Sequence, residues 1–163
     1  MPVADTVADQ ACYSYRYVVM DSLGNTTTYT SPGIKVETTA PAAPTLSYSA
    51  LTNAYWSGTG SAVVYYRSAA TTGSFTATAA ATDPKSGIAS YAFPALGTNW
   101  TSTAGALGVN TYAWSGLPAA PGTKQVTATN NASLTSANAP FTLTADDTAP
   151  TAGTVTNLSL IHI

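Results

Sequence analysis

Val126-Thr127-Ala128-Thr129-Asn130-Asn131-Ala132-Ser133-Leu134, followed further on by Phe141-Thr142-Leu143 and Thr148-Ala149-Pro150, is the stretch on which the fold turns. Its first half alternates small apolar residues with threonine, the period of a strand that buries one face. Its second half breaks that alternation with Asn, Asn and Ser, whose short polar side chains favour turns. The same plan stands 109 positions earlier, the step from Pro41 to Pro150 and from Gly24 to Ser133. Under that shift Tyr17 falls on Val126, Val19 on Ala128, Ile34 on Leu143, and Thr39-Ala40-Pro41 on Thr148-Ala149-Pro150. A fixed offset spanning two strands and a linker marks a tandem array.

A period of this size suits a β-sandwich domain, which takes roughly 100 residues. The array predicts four regions: 1–39 as closing strands of a preceding repeat, 40–147 as one complete repeat, 148–157 as the start of the next, and 158–163 as a tail. Pro41, Pro44 and Pro150 lack backbone donors and keep a strand from running on through the linkers. Within the complete repeat, β-rich runs between turn signals predict about seven strands, at 45–48, 62–67, 74–81, 88–93, 111–114, 124–129 and 141–145. Alternation within them assigns Phe75, Ile88, Tyr91 or Phe93, Trp114, Val126, Phe141 and Leu143 to the core. Each large one stabilises by about 1.5–3 kcal/mol on full burial.

Composition points the same way. Hydrophobic residues make up 45% of the 163, enough for a core, whereas charged residues make up only 7% against roughly 25% in an average soluble domain. Threonine, serine and alanine take their place, and threonine suits the wet face of a sheet. Five Lys and Arg against seven Asp and Glu, a net charge of −2, leave no basic surface for phosphates, so nucleic acid is disfavoured as a partner. Nothing reads as a membrane-spanning helix or a signal peptide.

The run from Cys12 through Tyr17-Val18-Val19-Met20-Asp21-Ser22-Leu23-Gly24-Asn25 to Thr38-Thr39-Ala40-Pro41 resembles the closing hairpin and linker of large bacterial immunoglobulin-like repeat proteins of the cell surface. Companion features in the complete repeat are Gly73-Ser74-Phe75-Thr76, Asp83 through Ser86-Gly87-Ile88, and Tyr112-Ala113-Trp114-Ser115. The resemblance implies an all-β, immunoglobulin-like Greek-key β-sandwich flanked by partial neighbouring repeats. It further implies an extracellular, non-catalytic spacer or stalk whose first partners are neighbouring repeats of the same chain. Two alternatives stand beside it: a module binding glycan or host protein through a sheet face or edge, and an accessory domain of a secreted hydrolase. Ser133 departs from the pattern, standing where Gly24 stands in the earlier hairpin. A left-handed serine costs on the order of 1 kcal/mol, which predicts a different turn there. The tail Leu158-Ser159-Leu160-Ile161-His162-Ile163 resembles a translated adapter appended to the coding sequence, and takes the single histidine with it.

Candidate sites follow from this frame. With the only histidine, His162, assigned to the tail and Cys12 single, no Ser-His-acid or Cys-His arrangement can be assembled. Gly58-Thr59-Gly60 reads as a turn, lacking the third glycine and helix of a phosphate cradle. Among the acids, Asp83 and Asp146 or Asp147 belong to opposite ends of the expected sandwich, too far apart for paired acid-base work. Cys12 reads as half of a disulfide whose partner lies upstream, or as an inert thiol. In immunoglobulin topology Asp83, Asn130 and Glu37 come from loops and linker that meet at one pole, which makes them candidate ligands for an interdomain calcium ion; ordinary turn-forming roles are the competing reading. Trp56, Tyr66 and Trp100, with Tyr65, are candidates for a sugar-stacking surface or for core and edge packing. Tyr65 and Tyr66, being adjacent on a strand, must point to opposite faces. The Asn-x-Ser/Thr triplets at Asn25, Asn99 and Asn131 matter only in a eukaryotic secretory route.

Overall fold

The computed structural model describes residues 6–153. Among them are thirteen strands and no helix. The expected tail at 158–163, with His162, lies outside the described residues, as does the end of the 148–157 region.

Nine strands lie in the region 40–147: β5 (Thr45–Thr52), β6 (Ala54–Trp56), β7 (Val63–Tyr66), β8 (Thr72–Ala80), β9 (Ile88–Ala92), β10 (Trp100–Ala104), β11 (Val109–Ser115), β12 (Gly122–Asn130) and β13 (Ala139–Ala145). They form one sheet in the order β10-β11-β8-β5 and another in the order β6-β7-β13-β12-β9. All neighbours are antiparallel except β13 and β7, which run parallel with Thr144 opposite Tyr65. The sheets face each other as a β-sandwich. Tyr48, Phe75, Tyr112 and Trp114 from the first meet Val64, Tyr66, Val126, Phe141 and Leu143 from the second in one buried cluster. Ring contacts cross the gap, Tyr48 to Phe141 at 6.0 Å and Tyr66 to Trp114 at 5.6 Å.

The chain passes from one sheet to the other between β5 and β6. Ala50 and Asn53 adopt left-handed backbone there, with φ of 49° and 53°, and the pairing of β5 with β8 shifts between Ser49 and Thr52. A bulge of this kind re-aims a strand. Asn53 tolerates the conformation, and its amide donates to the Thr72 carbonyl at 2.8 Å.

All seven expected strands coincide with observed ones, but β6 and β10 are additional. β10 is an edge strand with four of its five residues exposed, so it has no buried face to imprint an alternation. Of the expected core, Phe75, Trp114, Val126, Phe141 and Leu143 are buried. Ile88, Tyr91 and Phe93 are only half-buried, because β9 is also an edge strand. Tyr48, Tyr66 and Tyr112 fill the space instead.

Ahead of the sandwich, β1 (Cys12–Tyr13) pairs with β4 (Ile34–Lys35), and β2 (Arg16–Met20) with β3 (Thr26–Thr30). At the 109-residue offset their pairing coincides with that of the sandwich at the two ends of the hairpin, while the β2–β3 ladder between is one residue out of step with β12–β13. Tyr13 opposes Ile34 as Gly122 opposes Leu143, and Met20 opposes Thr26 as Thr129 opposes Thr135. The turns share the bonds that their backbone amides make. Asp21 Oδ1 accepts from the Leu23 and Asn25 amides, and Asn130 Oδ1 accepts from the Ala132 and Leu134 amides. The environments differ: Val126 and Ala128 are fully buried, but their counterparts Tyr17 and Val19 are 68% and 44% exposed.

Ser133 therefore does not change the turn. It holds φ of 64° where Gly24 holds 89°, so the expected switch of turn type is overturned. The two backbone amides gathered by Asn130 keep the turn in place against the strain of a left-handed serine. Ser133→Gly should relieve that strain and raise the unfolding free energy by about 0.5–1 kcal/mol, net of the extra freedom glycine gains in the unfolded chain. A urea midpoint that stays put or falls would show that Ser133 is unstrained.

Candidate functional site

The polar residues of the molecule converge where the linker enters the sandwich. Pro41 and Pro44 are buried, and the Ala42 amide donates to the Thr82 carbonyl at 3.1 Å, so the linker lies pinned against the loop that follows β8. That loop is organised by Asp83. Its Oδ1 accepts from the amides of Lys85 at 2.9 Å and Ser86 at 3.1 Å, an Asx turn built on the Asp-Pro sequence. Its Oδ2 accepts from the Asn130 side-chain amide at 2.8 Å. Asn130, at the end of β12, is 1% exposed and also donates to the Thr39 carbonyl of the linker at 3.4 Å. One asparagine thus ties the last hairpin, the β8–β9 loop and the linker together. Next to it, the Asn131 amide donates to the Ser86 carbonyl at 2.7 Å.

With its backbone held by Asp83, Lys85 reaches back to the preceding segment. Its ammonium donates to Asp9 Oδ2 at 2.7 Å and Thr39 Oγ1 at 2.9 Å. Asp9 is itself fixed, accepting from the Thr38 amide at 2.7 Å and from the Thr39 hydroxyl at 3.0 Å. Both side chains are about three-quarters buried, at 24% and 27% exposure. The Lys85 hydrogen bond, followed by that of the Thr38 amide, holds the Asp9 carboxyl well below the usual carboxylate range. The Asn130 amide does the same for Asp83. Hydrogen bonds to the charged form are the leading cause in both cases.

Beside this clasp lies a cleft of about 530 Å³ between the preceding segment and the sandwich, lined by Cys12, Lys35, Glu37, Lys85, Ser86 and Asn131 among others. Both Glu37 carboxylate oxygens are shielded from solvent and have no hydrogen-bond partner among the described residues. Of the three candidate calcium ligands, Asp83 and Asn130 are brought together, but through the amide nitrogen, and the Asn130 oxygen is taken by two backbone amides. Glu37 bonds to neither. Calcium takes six to eight oxygens, and these residues do not fit it. No group of three or more His, Cys, Asp or Glu among the described residues is placed to hold a metal.

The aromatic candidates lie elsewhere. Tyr66 is 1% exposed and edge-on to Trp100 at 5.2 Å, so it belongs to the core and has no face to offer a sugar. Trp56 is edge-on to Tyr48 at 5.4 Å and donates to the Ser61 carbonyl; Trp100 donates to the Ala119 carbonyl. Tyr65 points outward at 40% exposure, opposite to Tyr66 as alternation requires. Cys12 is an exposed free thiol. Asp147 accepts from the Ser68 hydroxyl and the Ala69 amide, at the opposite end of β8 from Asp83. Nine strand residues put roughly 30 Å between them.

Sequence reading missed Asp9, Lys85 and Tyr55. The turn motif 83–87 located the Lys85 backbone, but no local signal names a partner 76 residues away. No family model, no curated protein and no solved structure matches the chain.

Proposed function

We propose that the chain is a complete repeat, with its junction to the preceding one, of a serial immunoglobulin-like stalk on a bacterial cell surface, and that its work is spacing and not catalysis. The observation that supports this reading is the recurrence, at one offset of 109 residues, of the residue pairs at the two ends of the hairpin and of the turn hydrogen bonds on both sides of the linker. The order β5-β8-β11-β10 opposite β9-β12-β13-β7, with parallel β7 and β13, supports a Greek-key immunoglobulin-like sandwich. A stalk needs each unit to be self-contained and each joint to resist bending. Two buried prolines and the Asp9–Thr39–Lys85 clasp meet the second need.

The clasp predicts a stiff joint. In the full chain, NMR relaxation should give residues 12–35 the same tumbling time as the sandwich. Lys85→Ala should decouple them while leaving the stability of the sandwich within about 1 kcal/mol, because the pair joins the preceding segment to a surface loop and holds no part of the sandwich core. Acid should do the same. The carboxyls of Asp9 and Asp83 titrate below 3.8, their ordinary value, so the clasp persists through that pH and is lost as pH falls through the lowered values. Independent tumbling of the unaltered chain at pH 7, or no change in Lys85→Ala, would sink the stalk reading.

A further inference from the structure

The outer face of the five-stranded sheet is lined with hydroxyls and amides, among them Thr123, Gln125, Thr127, Thr142 and Thr144. Against that background two tyrosines stand side by side at its β6 edge. Tyr55 and Tyr65 oppose each other across the antiparallel pair β6–β7 and are 62% and 40% exposed. Their strand neighbours Ala54, Trp56, Val64 and Tyr66 pack on the core, so both phenol rings are on the solvent side. Among the described residues neither ring stacks on another and neither hydroxyl has a hydrogen-bond partner. Core burial does not account for them, and each leaves the face of its ring open to a ligand.

The rings edge a shallow depression of about 250 Å³ whose other walls include Asn53, Arg67 and Asp146. The Asn53 amide is used by the Thr72 carbonyl and one Asp146 oxygen by the Thr148 amide, while the Arg67 side chain is exposed. The left-handed turn at Asn53 and the bond from the Arg67 amide to the Asn53 carbonyl at 2.9 Å close the β6–β7 ladder and hold the tyrosines in register.

We infer that Tyr55 and Tyr65, with Arg67 and Asp146, form a binding platform for a neutral pyranose oligosaccharide. Directly opposed strand residues have Cβ atoms about 4.5–5.5 Å apart, so the two phenols are spaced to meet neighbouring parts of a sugar chain. The apolar C–H face of a pyranose packs on a phenol ring, and its equatorial hydroxyls meet a guanidinium donor, a carboxylate acceptor and the surrounding threonines. Arg67 is offset by Asp146 and Asp147, which disfavours an anionic chain. Two side chains and a small depression fall well short of the roughly 800 Å² each partner gives to a stable protein interface. The platform lies on an outer sheet edge at the pole opposite the Asp9–Lys85 clasp, beside the 148–150 linker.

The full chain is to be titrated with cellohexaose, xylohexaose, chitohexaose and maltohexaose by calorimetry, with matching changes in the ¹H–¹⁵N spectrum. At least one should bind with millimolar or tighter affinity and shift the signals of residues 53–67. Tyr55→Thr and Tyr65→Thr keep strand propensity and should each weaken binding about tenfold, roughly 1.4 kcal/mol, with unchanged thermal midpoints. Lys85→Ala should leave sugar binding intact, which separates this site from the stalk reading. Absence of binding to all four sugars, a tyrosine double variant that still binds, or shifts confined to another face would overturn the platform.

Discussion

Phe75→Ala is expected to lower the unfolding free energy by about 3–5 kcal/mol, a fifth or more of the roughly 5–15 kcal/mol that holds a typical domain folded. Phe75 sits near the middle of β8 with no exposed surface. Its ring meets Tyr112 at 5.3 Å, Tyr48 at 5.9 Å and Trp100 at 6.3 Å. Those neighbours come from three other strands, and each is held by its own packing, so none can swing in to refill the space. The cost is therefore the lost transfer energy plus an uncollapsed cavity. Phe75→Leu, which keeps most of the volume, should cost well under half as much. Equilibrium urea unfolding followed by tryptophan fluorescence measures both. A loss below about 1.5 kcal/mol for alanine would mean that β8 is not the centre of the sandwich.

Gly73→Ala is the second large effect, at about 3 kcal/mol, the upper range for overpacking a core. Gly73 opposes Trp114 across β8 and β11, and the indole lies directly on its Cα. A Cβ at Gly73 would fall 2.0 Å from Trp114 Cζ2 and 2.3 Å from Cη2. The indole cannot yield cheaply, being 2% exposed and wedged between Trp100 at 5.0 Å and Tyr66 at 5.6 Å. The glycine is thus a seat for the tryptophan, and its role is steric, since its backbone φ lies outside the left-handed region. The cause can be isolated by a double-mutant cycle. In a Trp114→Leu background, itself destabilised, adding Gly73→Ala should cost less than about 1 kcal/mol. Equal costs in both backgrounds would show that the glycine matters for another reason.

Legibility tracked burial. β8 and β12 announce themselves because one face of each is packed and the other wet, which writes Phe75-x-Ala77-x-Ala79 and Val126-x-Ala128 into the chain. β10 packs only Trp100 inward and β6 is only three residues long, so neither leaves a period. The buried tyrosines were hidden for a different reason. Tyrosine is acceptable in a core only where its hydroxyl finds a partner or stays tolerably unpaired. For Tyr112 that partner is the Pro94 carbonyl at 2.8 Å, supplied by a loop from another part of the chain. The candidate site was half legible: Asp83 and Asn130 were singled out as meeting at one pole, and they do, but as a donor–acceptor pair and not as shared ligands of an ion.

On its own, the sequence determined the 109-residue offset between like motifs and the strand faces, because each depends on residues within one strand or hairpin; it misread the turn at Ser133, which keeps the left-handed geometry of Gly24. Tertiary structure alone decided that Lys85 closes on Asp9, that Tyr66 turns inward beneath the tryptophans, and that Tyr55 stands beside Tyr65. The physical reason is range. A hydrogen bond of 2.7 Å between groups 76 residues apart exists only after two sheets and a linker have packed, and no local repeat of residue types encodes that meeting.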